Sequence, residues 1–244
     1  MIRKLLFLSL ISTLFIGCQF TETMVLNQDG SGTMTVEVNM DEMMAMGAMG
    51  GDTEKVKIDT IVKMKDFLEE KKDSISQLSK EDQLKLKKLE NYVIHVKMDS
   101  EKSEMLYNVS TKFKSVVEAN DILNGLEQAS NLMPKDADEE ADKEKSSPEI
   151  IGVNYSFEKG IFKRDAYIKD KVAHKGEVDS LKQSEAFLGT VMYSLKYTFP
   201  KPIKKVSDPA ATLSKDKKTL TLTKPFIEYF KNPDLLDLEV EVGN

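Results

Sequence analysis

The sequence predicts an α+β domain: antiparallel β-sheet built from hairpins, with several packed helices and a disordered acidic loop. Three observations carry this. Apolar and polar residues alternate on either side of a short turn at Phe20 to Met40, Tyr92 to Phe113 and Ile150 to Ile168, the signature of half-buried strands joined as hairpins. Between these, Phe67, Leu68, Ile75 and Leu78 are spaced for a helical stripe. Lys135 to Ser147, KDADEEADKEKSS, has no hydrophobe larger than alanine, so it cannot bury enough surface to offset the entropy of ordering it.

Taken in order, Phe20 to Leu26 alternates into Asn27-Gln28-Asp29-Gly30-Ser31-Gly32, and Met34, Val36, Val38 and Met40 alternate out of it. Asp29-Gly30 supplies the turn chemistry, since glycine tolerates positive φ and aspartate bonds to its local backbone. A calcium loop would need spaced further carboxylates that are absent here. Val56 to Met64 reads as a strand with Val56, Ile58, Thr60, Val62 and Met64 on one side. Two helical pieces follow, the second opened by Ser79-Lys80-Glu81-Asp82 with Ser79 as cap. Tyr92 to Asp99 and Met105 to Phe113 form a hairpin around Glu101-Lys102-Ser103, with His95 on its wetter face and without a paired acid. Ser115 to Met133 reads as an amphipathic helix stopped before Pro134. After the acidic loop come a hairpin around Glu158-Lys159-Gly160, a helix over Glu177 to Thr190, and strands at Met192 to Phe199, Lys204 to Ser207 and Thr219 to Thr223. One helical turn at Pro225 to Phe230 precedes a last strand, Leu236 to Val242. His174 falls in a charged connection without a role.

The first residues, MIRKLLFLSLISTLFIGC, place two cations, Arg3 and Lys4, before an apolar run that ends at Gly17-Cys18. That pattern is a secretory signal. The run, Leu5 to Ile16 broken by Ser9, Ser12 and Thr13, falls short of the roughly 20 residues needed to span a hydrocarbon core. Cys18 is the only cysteine, and in its place directly after a small residue it resembles the acylated cysteine of bacterial lipoproteins, the alternative being a plain signal peptide that ends near a free thiol. The expected organisation is a signal peptide at 1–17 and a single α+β domain at 18–244 that carries the loop at 134–148. Removing 1–17 moves the formal charge from −6 to −8, which argues against nucleic acid as a partner and against electrostatic attraction to anionic lipid. Acyl chains on Cys18 would therefore supply membrane attachment. Gln19, in place of an aspartate after the cysteine, favours the outer membrane of a bacterial envelope. With one cysteine there is no internal disulfide, and packing must supply the stability.

Met40 to Met49 holds five of the chain's 13 methionines. It reads as a short helix or flap that lays flexible thioethers over a core or a partner's apolar surface, as a cover over an apolar ligand pocket, or as a soft-metal site. No cysteine or histidine stands near enough to strengthen the metal reading, so no metal is expected. Met43, Met44 and Met46 are the expected ligand or partner contacts.

No nucleophile beside a base, no HExxH or GxSxG and no glycine-rich phosphate loop is present. The expectation is therefore no catalytic residue, no cofactor and no enzyme. The Asn-Gln-Asp-Gly-Ser-Gly turn, the "NMDEMM" that follows, and the late "YTFPKPIKKV" and "LSKDKKTLTLT" together resemble lipoproteins common in Bacteroidota and, more distantly, the LppM-type lipoprotein domain. The resemblance covers both ends and leaves about Lys55 to Ile150 without a counterpart. It implies an α+β fold and an apolar or lipid ligand, and supplies no catalytic residues. The functional expectation is a membrane-anchored, non-enzymatic binding module for an apolar or lipid ligand; the alternative is a structural or partner-binding component of an envelope assembly.

Overall fold

The computed structural model describes residues 19–45, 55–120, 150–182 and 188–243. The expected acidic loop at 134–148, Cys18 and Met46 lie outside them. The described residues form twelve strands and six α-helices in a mixed fold dominated by antiparallel pairing. The strands are β1 (Gln19–Leu26), β2 (Gly32–Asn39), β3 (Lys57–Lys63), β4 (Tyr92–Asp99), β5 (Glu104–Phe113), β6 (Ile151–Glu158), β7 (Ile161–Ile168), β8 (Met192–Thr198), β9 (Ile203–Val206), β10 (Thr212–Leu213), β11 (Thr219–Pro225) and β12 (Leu238–Val242). The helices are α1 (Asp41–Ala45), α2 (Met64–Glu70), α3 (Lys72–Ser76), α4 (Lys80–Lys88), α5 (Lys171–Leu181) and α6 (Phe226–Lys231).

An eight-stranded sheet runs β10-β11-β8-β1-β2-β5-β4-β3, and a four-stranded sheet runs β6-β7-β12-β9. All three expected hairpins form. Local chemistry explains their turns. Asp29 Oδ1 accepts from Ser31 N at 3.0 Å and from Ser31 Oγ at 2.7 Å, and Gly30 has φ of 85°. Lys159 and Gly160 both have positive φ, as the primed two-residue hairpin turn requires. One pairing has no local signature: β1 runs parallel to β8, with Gln19 opposite Met192 and Val25 opposite Thr198.

The two sheets face each other across one core. Met24, Leu26, Leu195, Leu220 and Leu222 project from the large sheet, and Phe162, Ala166, Leu238 and Val240 from the small one. Phe162 lies edge-on to Tyr197 and Phe199, with ring centroids 5.3 and 5.4 Å apart. Beyond the small sheet the same side of the large sheet is covered by α2 to α4, whose Met64 and Leu86 are buried in the same core. Ser79 caps α4, its side chain accepting from Asp82 N, as expected.

Several boundaries differ from the sequence reading. Met64 opens α2 and is buried, whereas the rest of the expected Val56 to Met64 strand is an edge strand with little buried surface. Among the described residues, Val62 and Met64 of that alternation pack against the core, and Ile58 does not. Ser115 to Met133 begins as a short 3-10 turn, Val116–Ala119, followed by extended Asn120; the remainder lies outside the described residues. Val116 and Ala119 are buried against the core. The helix expected from Glu177 instead begins at Lys171, because the Asp170 side chain accepts from Val172 N and Ala173 N. Leu236 ends a 3-10 turn started by Pro233, and the last strand begins two residues later.

Gly32 faces Phe113 across the β2–β5 pair. A Cβ there would come within 2.2 Å of Val25 O and 2.5 Å of Phe113 Cζ. Gly32→Ala is expected to cost about 1–3 kcal/mol through overpacking, read as a lower denaturation midpoint at unchanged denaturant dependence; an unchanged midpoint would show that this strand end yields freely.

Candidate functional site

Two places in the fold concentrate unusual side chains: a buried ionic cluster between the sheets, and the methionine-bearing end of the large sheet.

The cluster is built from positions that alternation turns inward. Glu22 stands on β1 between Phe20 and Met24, and Arg164 on β7 between Phe162 and Ala166. Each is a charge on an otherwise apolar stripe. Their side chains are 2% and 0% exposed and meet with Arg164 Nη2 donating to Glu22 Oε2 at 3.2 Å. Glu22 Oε1 accepts from the hydroxyls of Tyr155, at 2.5 Å, and Tyr197, while Oε2 accepts from Tyr193 at 2.9 Å. Arg164 also donates to Leu236 O at 3.1 Å and to the Tyr229 hydroxyl at 3.4 Å, with its guanidinium carbon 5.6 Å from that ring's centre.

Burial by itself would raise the Glu22 pKa, but the Arg164 charge and the tyrosine hydrogen bonds outweigh it and hold the carboxyl below its ordinary value of 4.5. Arg164 is held protonated by the same partner against its own burial. Burial, with Glu22's charge adding to it, pushes the Tyr155, Tyr193 and Tyr197 hydroxyls well above their usual range. All of these groups are therefore locked in one protonation state near neutrality. Their polar atoms are spent on each other, so the cluster's chemistry is cohesive: it joins β1 and β8 of one sheet to β6 and β7 of the other. The sequence signal was available, a lone Glu and a lone Arg on the apolar faces of two predicted strands, and the sequence reading passed over both.

At the methionine end, Met43 and Met44 lie in α1, half-buried, and none of α1's residues is buried. The helix is tied to the sheet by Asp41, whose Oδ1 accepts from Met105 N at 2.6 Å and whose N–H donates to Asn39 Oδ1 at 3.0 Å. Met40 N in turn donates to Met105 O at 2.8 Å. Met43 and Met44 are thus brought together at one end of the large sheet.

Neither histidine stands as the sequence implied. His95 has an acid beside it, Asp59 Oδ1 at 2.8 Å from Nε2, because β3 pairs with β4 and places Asp59 close by. His174 is buried on α5, with Nε2 2.7 Å from Phe230 O; the earlier helix start created that contact. Over α2 to α4 lies an open groove of about 910 Å³ with Leu68, Ile75, Leu84 and Leu86 among its lining. Among the described residues, no group of three or more His, Cys, Asp or Glu side chains is arranged to hold a metal ion, and no helix is long and apolar enough to cross a membrane.

No protein-family model matches this chain, and no curated protein or solved structure matches it either.

The ionic cluster supports a thermodynamic prediction. Arg164→Met leaves a buried carboxylate without its counter-charge and is expected to cost about 3–5 kcal/mol, whereas Glu22→Gln combined with Arg164→Met is expected to cost less than the sum of the two single changes. Because the Glu22 pKa is lowered on folding, its contribution is complete above 4.5 and fades as the pH falls through the lowered native value. The stability gap between wild type and Glu22→Gln should therefore be flat near neutrality and close in acid. Additive losses, or a gap that widens in acid, would show that the pair is not the junction described.

Proposed function

We propose that this chain is a lipid-anchored protein of a bacterial cell envelope that binds an apolar or lipid ligand and does not act by catalysis. What supports the anchor is the junction at β1. A signal-type stretch ends in the only cysteine, and the next residue, Gln19, is already paired with Asn39 on one side and Met192 on the other. A diacylglycerol on Cys18 would hold the folded body at the bilayer with no tether between them. The ligand would be met at Met43, Met44 and Met46, whose unbranched thioethers adapt to irregular apolar surfaces. The resemblance to LppM-type lipoprotein domains supports the lipid character of that ligand, and Gln19 supports the outer membrane as the site.

A second reading, a structural or partner-binding component of an envelope assembly, draws on the groove over α2 to α4. It is open, and Leu84 within it is 64% exposed, a form that suits an apolar protein segment better than an enclosed small molecule.

Wild type, expressed in a bacterium that lipidates exported proteins, is expected to partition into the detergent phase and Cys18→Ser into the aqueous phase; equal partition of both would remove the anchor. Native mass spectrometry of the purified protein then separates the binding readings. A small added mass that Met43→Ser/Met44→Ser loses supports the ligand, a second polypeptide supports the assembly, and a bare chain argues against both.

A further inference from the structure

The methionine bias near Met40 is part of a larger feature that the sheet assembles. Met105 on β5 stands opposite Met98 on β4, and Met98 opposite Ile58 on β3. Directly paired residues share a face, so Ile58, Met98 and Met105 form a row across three strands. Met40 extends it through its backbone bond to Met105, and α1 sets Met43 and Met44 beside it. None of these six side chains is buried: Ile58 is 41% exposed and the methionines are half-buried. None belongs to the core or to the partly buried residues packed against it. Among the described residues, core packing therefore gives no account of them.

The row stands at the end of the large sheet where β1 begins. Strands lie about 4.8 Å apart, so β4 is about 15 Å from β1, and one residue reaches about 3.5 Å. With a lipid on Cys18, the row cannot stand far from the headgroups. Several nearby charges are paired, Lys55 with Glu101 at 2.6 Å and Lys97 with Glu104 at 2.7 Å, while Asp41 and Glu42 on α1 add negative charge, so this end suits a zwitterionic surface better than an anionic one.

We infer that Ile58, Met98, Met105, Met40, Met43 and Met44 form a bilayer-facing seat, inserting into the interfacial layer of the membrane that Cys18 anchors and setting the orientation of the body. The inference rests on the lipid-anchor reading, adds to it which end of the fold touches lipid, and makes the lipid met at Met43 and Met44 a lipid of that same bilayer. Flexible thioethers suit a fluid acyl surface because they need no fixed complementary shape, and apolar area buried at the interface adds to the anchor and fixes the tilt of the body.

The native cysteine is consumed by acylation, so an engineered thiol is the only one free to label. The lipidated protein carrying Ile58→Cys, Met98→Cys or Met105→Cys would be labelled with an environment-sensitive fluorophore and reconstituted into phosphatidylcholine vesicles with or without brominated acyl chains. Ile58→Cys alters an exposed position and serves if either methionine variant misfolds. Asp216→Cys, in the turn between β10 and β11 at the opposite end of the sheet, is the control. About twofold quenching at the row, as expected for groups held at the acyl boundary, with an unquenched control, supports the seat. A protein that floats with the vesicles but shows equal fluorescence in both overturns the seat and leaves the anchor standing. Wild type that does not float overturns the anchor, and the seat with it.

Discussion

The ion pair between Glu22 and Arg164 is the contact on which the arrangement of the two sheets depends. Neither charge is tolerable in an apolar interior alone, since the desolvation penalty for each is several kcal/mol after relaxation. Together, with three tyrosine hydroxyls on the carboxylate and a main-chain carbonyl on the guanidinium, every strong polar atom has a partner. A shift of the small sheet by one residue would turn Arg164 away from Glu22 and leave both uncompensated. Apolar contacts such as Phe162 on Tyr197 are less demanding, because a core of similar volume accepts more than one packing. The pair therefore selects one docking of β7 on β1, and leucines and aromatics supply most of the burial around it.

That docking divides the molecule into ends of different character. One end of the sandwich carries the polar turns at Asp29-Gly30, Lys159-Gly160 and Ser214 to Lys218. At the other, β1 starts beside Cys18, and the row from Ile58 through Met105 meets α1. On the lipid-anchor proposal, the hydrated turns would stand away from the bilayer, and the methionine-bearing end, with the charged turn at Asp99 to Glu104 beside it, would stand towards it. Asp41 links the two levels of organisation, because the hydrogen bond it accepts from Met105 N holds the methionine helix against the sheet.

Much of the local structure was legible in the chain. Alternation around Asp29-Gly30 and around Lys159-Gly160 located two hairpins within a residue or so, because turn chemistry and period act over short stretches. Ser79 was legible as a cap for the same reason, since a side-chain oxygen reaches a backbone amide three residues on. Helix starts were less legible. Asp170 caps α5 seven residues before the apolar spacing at Glu177 suggested a start, and the expected helix from Ser115 opens as a 3-10 turn at Val116–Ala119, with its remainder outside the described residues. Of the candidate contacts, Met43 and Met44 came from composition. Met98 and Met105 did not, because their neighbours at the site lie some sixty residues away in the chain.

The amino-acid order alone determined the three hairpins with their turns, the Ser79 cap and the net negative charge, because each is a property of a short window or of a sum. The pairing of β1 with β8, the meeting of Glu22 with Arg164, and the gathering of methionines from three segments were decided by the tertiary structure. They are contacts between distant segments, and their free energy appears only once burial has removed water from both partners.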